Sequence, residues 1–306
     1  MNFATIMINE KPQACLIDKD DLSFFPVMRL AEKLPDPLHK QLAQTGCLST
    51  LQIIDHFQKL EALFQSIPKE SFQPYQGERL LSPIPRPRRN IVCLGKNYLE
   101  HVKEIKGITG GPKDTAPEYP IYFTKAAYPC NGPGGVILLH SHLTKEIDYE
   151  AELCVVIGKE GVDLSPEEAE DLIFGYTIGN DISARDLQKR HVNWFRGKSL
   201  DSHCPIGPWI VEKKEFPLPL ELDVRSYVNG ELRQNGNTRD LIRNVPQIIS
   251  DLSQGYRLYP GDMIMTGTPA GVGMGFTPPR YLQPGDEIRC EIQGIGSLVN
   301  HMEKAR

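Results

Sequence analysis

Apolar and polar positions divide the chain into two differently patterned parts. Two short apolar segments, 3–8 and 14–17, flank Asn9-Glu10-Lys11-Pro12, which predicts a hairpin. Ser49-Thr50-Leu51-Gln52 has the form of a capping box, and Ile53, Phe57, Leu60 and Phe64 recur at helical spacing. A helix with one apolar face, ending before Pro68, is expected there. In Ser82-Pro83-Ile84-Pro85-Arg86-Pro87 the alternate prolines fix an extended, helix-free connection. We place a domain boundary at that point, with a small N-terminal α+β domain over 1–85 and a larger domain over 86–306.

Beyond the boundary the pattern changes to many short strands. Segments 91–94, 121–124, 149–157, 176–180, 209–211, 222–228, 263–266 and 287–292 are strand-like. Asn229-Gly230 between two such runs is a strong hairpin signal, because both central residues of a type I′ turn need positive φ. Pro260-Gly261-Asp262 and Pro284-Gly285-Asp286 mark further turns. Helices are expected over 97–105, over 166–173 behind the capping box Ser165-Pro166-Glu167-Glu168, from Ala184 to about Phe195, and over 245–252. This order predicts a β-rich α+β fold; without regular strand-helix alternation, a doubly wound sheet or a TIM barrel is disfavoured.

Composition narrows the function classes. With 40% hydrophobic and 24% charged residues over 306 positions, the chain can bury a sizeable core and is neither collagen-like nor disordered. Its 34 Lys and Arg against 39 Asp and Glu, with no long basic run, argue against nucleic acid as a partner. No apolar run approaches the roughly 20 residues of a bilayer span and the N-terminus lacks a signal-peptide pattern, so no membrane partner and a cytoplasmic location are expected. The seven cysteines are scattered without a C-x-x-C motif, which reads as reduced core residues more readily than as a catalytic thiol.

Candidate chemistry begins at Lys145-Glu146-Ile147-Asp148-Tyr149-Glu150-Ala151-Glu152-Leu153-Cys154-Val155-Val156-Ile157-Gly158. On a strand Glu150 and Glu152 share a face with Cys154 and Val156. Buried there, the two carboxylates would need a proton or a cation between them. On a solvated edge strand they would instead face water. A third acid, Asp181, closes the apolar run Tyr176-Thr177-Ile178-Gly179-Asn180 before Ser183-Ala184-Arg185-Asp186, which has the form of a helix start with an N-cap serine. Three carboxylates without thiolate or imidazole are hard oxygen ligands and suit Mg²⁺ or Mn²⁺, or Ca²⁺.

Five motifs then occur in a telling order: Gly95-Lys96-Asn97-Tyr98 followed by His101, Asp148-Tyr149-Glu150-Ala151-Glu152-Leu153, Asn180-Asp181-Ile182-Ser183-Ala184-Arg185-Asp186-Leu187-Gln188, Gly197-Lys198-Ser199, and Thr266-Gly267-Thr268-Pro269-Ala270-Gly271-Val272-Gly273. From about residue 90 to 298 this resembles the fumarylacetoacetate hydrolase family, in a bacterial form with an N-terminal extension. The resemblance implies a β-rich roll of mixed sandwich character, a homodimer, and Glu150, Glu152 and Asp181 as metal ligands. It also implies a small 2-oxo acid as substrate, whose 2-oxo group and carboxylate chelate the ion so that electrons released by C–C or C–H cleavage collect as an enolate. Lys198 would add positive charge beside that enolate.

His101 and Glu104 share a helical face. Alone they read as a surface pair; in the family context they read as a dyad on a lid that activates water or assists proton transfer, with Gly107, Gly110, Gly111 and Pro112 suiting a segment that orders on substrate binding. Arg185 and Gln188 could reach the substrate carboxylate, or Arg185 could pair with Asp181 or Asp186. Thr268 lies in a glycine-rich stretch that either presents N–H groups to an anion or is a tight loop. His140-Ser141-His142 could bind zinc but lacks an evident third ligand, and Trp194 and Phe195 suit packing or dimer contacts as well as substrate contacts. The leading function is acylpyruvate C–C hydrolysis or oxaloacetate decarboxylation. The alternatives are an isomerase or decarboxylase of hydroxylated dienedioates, and a metal-stabilised binding or scaffold protein with residual activity.

Overall fold

The computed structural model describes residues 1–105 and 116–305; the glycines at 107, 110 and 111 and Pro112 lie outside them. Strands β1 (Asn2–Ile8) and β2 (Lys11–Asp18) form the expected hairpin, with Asn9 and Glu10 at φ of 48° and 61° in its turn. After β3 (Ser23–Pro26) come helices α1 (Asp36–Thr45), α2 (Thr50–Asp55) and α3 (Phe57–Gln65). The Ser49–Gln52 capping box is present. The one helix expected here is two, parted at His56, but Ile53, Leu60 and Phe64 still bury a common face. Short strands β4 (Gln73–Pro74) and β5 (Leu80–Leu81) lead into the proline-rich connection, which carries no helix.

The rest of the chain supplies β6 (Ile91–Gly95), α4 (Leu99–Glu104), β7 (Ile121–Lys125), β8 (Val136–Leu139), β9 (Ile147–Asp148), β10 (Ala151–Ile157), α5 (Pro166–Leu172), β11 (Ile173–Asn180), β12 (Ser183–Ala184), α6 (Arg185–Arg190), α7 (Phe195–Lys198) and β13 (Ile206–Glu212). It ends with β14 (Asp223–Val228), β15 (Glu231–Asn237), α8 (Val245–Ser253), β16 (Met263–Met265), β17 (Glu287–Ile292) and β18 (Gly296–Lys304). The expected strands and the Asn229-Gly230 hairpin form, and Ser165 and Glu168 close their capping box. The stretch from Ala184 to Phe195 is not one helix: α6 stops at Arg190, and Asn193 accepts the Phe195 N–H as α7 starts. Ser183 does not cap α6. It lies in β12, paired with Asp148, and its hydroxyl donates to the Asp181 carbonyl at 2.9 Å.

An 11-stranded sheet runs β4-β3-β2-β1-β13-β11-β10-β16-β6-β7, with β5 also on β1. The first three strands extend this sheet, since β1 pairs with β13 through Asn2↔Val211 and Phe3↔Ile210. A five-stranded sheet, β15-β14-β17-β18-β8, packs on one face through β10, β11 and β13. Strand alternation then assigns the two cores: Leu153, Val155 and Ile157 of β10 point toward the five-stranded sheet, while Cys154 and Val156 join Phe3, Ile53, Leu60 and Phe64 under the N-terminal helices. The result is the expected β-rich α+β roll. No helix among the described residues is long and apolar enough to cross a membrane.

Candidate active site

Antiparallel pairing of β10 with β11 carries the acids to one place. The register Ala151↔Asn180 and Glu152↔Gly179 puts the start of β10 beside the end of β11, and Asp181 N–H donates to the Glu150 carbonyl at 2.9 Å. Carboxylate oxygens of Glu150, Glu152 and Asp181 thereby lie within 4.8 Å of one another, with the three residues 5%, 2% and 0% exposed. A solvated edge strand is excluded by this burial.

Buried carboxylates must be neutralised or charge-paired. Lys198 Nζ donates to Glu150 Oε2 at 2.6 Å and to Asp181 Oδ2 at 2.7 Å. Arg185 places Nη2 at 2.7 Å from Glu150 Oε1, its Nε donates to Asp148 Oδ2 at 2.9 Å, and its Nη1 donates to Gln188 at 3.1 Å. Arg185 therefore pairs with Asp148 and Glu150, not with Asp181 or Asp186. Lys125, fully buried, lies 2.7 Å from Asp181 Oδ1 and donates to the carbonyls of Ile182 and Lys198. The Lys125–Asp181 and Arg185–Glu150 contacts are close ion pairs whose angles fall outside hydrogen-bond geometry.

Glu152 is left out of this pairing. Among the described residues no cation bridges to it, and its Oε2 accepts only the Gly267 N–H, at 2.7 Å. Burial and then the charges of Asp181 and Glu150 push its pKa well above 4.5. Glu150 goes the other way: burial would raise it, but Arg185 and Lys198 hold it below the carboxylate range. For Lys198, burial works against the charge and the carboxylates of Asp181 and Glu150 outweigh it, keeping the ammonium protonated. Three converging hard oxygen ligands, one of them short of a cation, fit a divalent ion.

The glycine-rich segment after β16 does present N–H groups to anions, and those anions are the protein's own. Gly267 serves Glu152, Gly271 donates to Glu104 Oε1 at 2.8 Å, and Gly273 and Met274 donate to Asp148 at 2.7 and 3.0 Å. Gly267, at φ of 100°, approaches so closely that a Cβ would lie 2.9 Å from Asn97 Cβ. Thr268 lines the cavity, but its hydroxyl donates to the Ala151 carbonyl at 2.9 Å and accepts from Gln234 at 2.7 Å. His101 and Glu104 form the expected pair, Nδ1 to Oε2 at 3.1 Å, and His101 is buried on the cavity wall.

Trp194 also lines the cavity and packs edge-on against Phe123, whose ring lies 5.1 Å from Lys198 Nζ; Phe195 points outward, 41% exposed. His140 and His142 have ring centroids 6.3 Å apart, and His142 is exposed. The sequence reading gave no role to Asp148 or Lys125. Asp148 was visible as the first acid of its motif. Lys125 had a fainter signal, a lone lysine closing the run Ile121-Tyr122-Phe123-Thr124.

Comparison with known proteins identifies the family. A family model described as fumarylacetoacetate (FAA) hydrolase C-terminal matches residues 90–303. Oxaloacetate tautomerase YisK of Bacillus subtilis is 50% identical over 224 residues, covering 73% of each chain. A fumarylacetoacetate hydrolase from Exiguobacterium antarcticum superposes with a TM-score of 0.82 at 38% identity over the whole of both chains. Maleylpyruvate hydrolase from Sphingobium sp. SYK-6, solved with manganese(II) and pyruvate, does so with a TM-score of 0.78 at 27% identity, again over both whole chains. Sequence and structure together make this chain a member of the fumarylacetoacetate hydrolase family.

Proposed function

We propose that the chain is a divalent-metal-dependent enzyme of small 2-oxo acids, with oxaloacetate as its leading substrate and acylpyruvates as further ones. One observation carries the reading: three buried carboxylates converge, and Glu152 lacks a cation among the described residues. Glu150, Glu152 and Asp181 would hold Mg²⁺ or Mn²⁺. When bound, the ion acts as a Lewis acid on a 2-oxo group and its neighbouring carboxylate.

The side chains divide the remaining work. Lys198 keeps a positive charge beside the oxygen that gains electron density as an enolate forms. Arg185 orients Glu150 and, with Gln188, borders the substrate space. Because Glu104 engages Nδ1 of His101, Nε2 is the nitrogen that exchanges a proton, with the carbon next to the oxo group or with water. Thr268 contributes a wall. Proton exchange alone gives tautomerisation, loss of the distal carboxylate gives decarboxylation, and delivery of water gives C–C hydrolysis. The names of the tautomerase and hydrolase relatives support the first and the last of these outcomes.

We further propose a cytoplasmic homodimer. Free cysteines, seven in number, suit a reducing compartment. Residues 1–85 are proposed as an accessory domain on the catalytic part, 86–306. The test is turnover of oxaloacetate and acetylpyruvate by purified protein with Mn²⁺, with EDTA, and as Glu150→Ala. Metal-dependent turnover lost in the variant is expected; turnover indifferent to chelation would reject the reading. No turnover of any 2-oxo acid would favour a binding protein.

A further inference from the structure

Among the described residues, the proposed reading leaves one cation of the cavity unused. Lys96 lies on the cavity wall between Gly95, against which Trp194 packs, and Asn97. Its backbone is in the left-handed region, φ 58°, where a residue with a Cβ is strained and glycine is not. The strain is held from one side by Asn97, which donates to the carbonyls of Thr266 and Arg243 and accepts the Arg243 N–H. A lysine in so confined and strained a position needs a reason in its side chain.

Charge matching supplies one. Arg185 is answered by Asp148 and Glu150, Lys198 by Glu150 and Asp181, and His101 by Glu104. Among the described residues Lys96 has no carboxylate within 4.0 Å, although it is half-buried, and burial draws its pKa below 10.5 with no acid to offset it. An ammonium desolvated on a cavity wall without an internal partner is matched by an anion that enters with the ligand.

We propose that Lys96 is the specificity-determining residue of the site and receives the second carboxylate of a 2-oxo dicarboxylate. This rests on the metal-dependent reading above, in which the acidic triad engages the oxo acid end and leaves the far end of the molecule free. A four-carbon 2-oxo dicarboxylate is thereby preferred over an acylpyruvate, whose far end is an uncharged acyl group.

Oxaloacetate and acetylpyruvate make the test sharp, because they share the oxo acid head and the acidic methylene and differ by O⁻ against CH₃. With Mn²⁺-loaded enzyme, Lys96→Met should lower kcat/KM for oxaloacetate roughly 10- to 100-fold, mainly through KM, the range of a lost charged hydrogen bond. The acetylpyruvate loss should stay under about threefold, since that substrate offers no charge to the ammonium. Lys96→Gly should lose the same discrimination without a lower Tm, and Lys96→Arg should restore part of it. Calorimetry gives a readout free of turnover: Lys96→Met should weaken binding of non-enolisable difluoro-oxaloacetate while oxalate, which offers only the head, changes far less. Equal losses on both substrates, or none, would overturn the assignment of Lys96 while leaving the metal reading intact. Wild-type enzyme inert toward both substrates would instead overturn the metal reading itself.

Discussion

Replacing Glu152 with glutamine should stabilise the metal-free protein at neutral pH and at the same time remove its response to metal. In the folded, metal-free chain burial and the charges of Asp181 and Glu150 raise the Glu152 pKa, whereas the unfolded chain releases that proton near 4.5. Between those two values the folded state holds the extra proton, so stability is full below the unfolded pKa and is lost as pH rises toward the folded one. The loss is at most about 1.4 kcal/mol per pH unit, hence no more than about 3 kcal/mol over two units. At roughly 2 °C per kcal/mol for a chain of this size, the extra fall in wild-type Tm is at most about 6 °C. Glu150 does not blur the comparison, because its depressed pKa places its own change on the acid side of 4.5. Glutamine can still accept the Gly267 N–H through its oxygen and turn its amide toward the neighbouring carboxylates, so the fold should persist. The assay is thermal unfolding of both proteins in EDTA from about pH 5.5 to about pH 7.5, repeated with excess Mn²⁺, the window lying above the ordinary carboxylate pKa. Wild type should show the steeper decline in EDTA and the larger gain with Mn²⁺. Parallel declines in EDTA would refute the charge assignment.

Other perturbations test neighbouring parts of the site. Asp148→Asn puts an NH₂ group against either the Gly273 and Tyr149 N–H groups or Met274 N–H and Arg185 Nε, and should cost about 3–5 kcal/mol of stability, read as a Tm lower by about 6–10 °C. A Tm within about 2 °C of wild type would contradict that role. Lys125→Met strands Asp181 Oδ1 and two carbonyls in a fully buried place and should lower the urea midpoint by an equivalent of about 3–5 kcal/mol with an unchanged m-value; an unmoved midpoint would show the ion pair to be dispensable. His101→Ala should slow acetylpyruvate hydrolysis by roughly 10²- to 10⁴-fold and oxaloacetate decarboxylation by less, because only hydrolysis needs an attacking water. Equal losses on the two substrates would refute that division.

Local signals in the sequence were legible where short-range chemistry determines structure. The capping boxes at Ser49 and Ser165 and the Asn229-Gly230 turn formed as their residue types require. Glu150, Glu152 and Asp181 were nameable because period-two alternation and the end of an apolar run put each carboxylate on the side of the pleat that the partner strand shares. What stayed hidden depends on long-range pairing. Strand β18 buries Leu298, Asn300 and Met302 on one face and turns Ser297, Val299 and His301 to the other, so its buried asparagine and outward valine disguise the apolar period. Ser183 looked like a helix cap until β12 paired with β9, which no local rule foretells. The glycine-rich segment advertised an anion-binding loop, and only the fold reveals that Glu152, Glu104 and Asp148 are the anions. Lys125 reaches Asp181 across 56 residues of chain, so nothing in its neighbourhood announced the contact.

The most direct measurement is an anomalous difference map from crystals soaked in Mn²⁺ and oxalate. The expected result is one strong peak at bonding distance from an oxygen of each of Glu150, Glu152 and Asp181, with oxalate on its open side and the peak absent from Glu152→Gln crystals. A map without density between those three carboxylates, or with manganese held by other residues, would contradict the metal site on which the proposed chemistry depends.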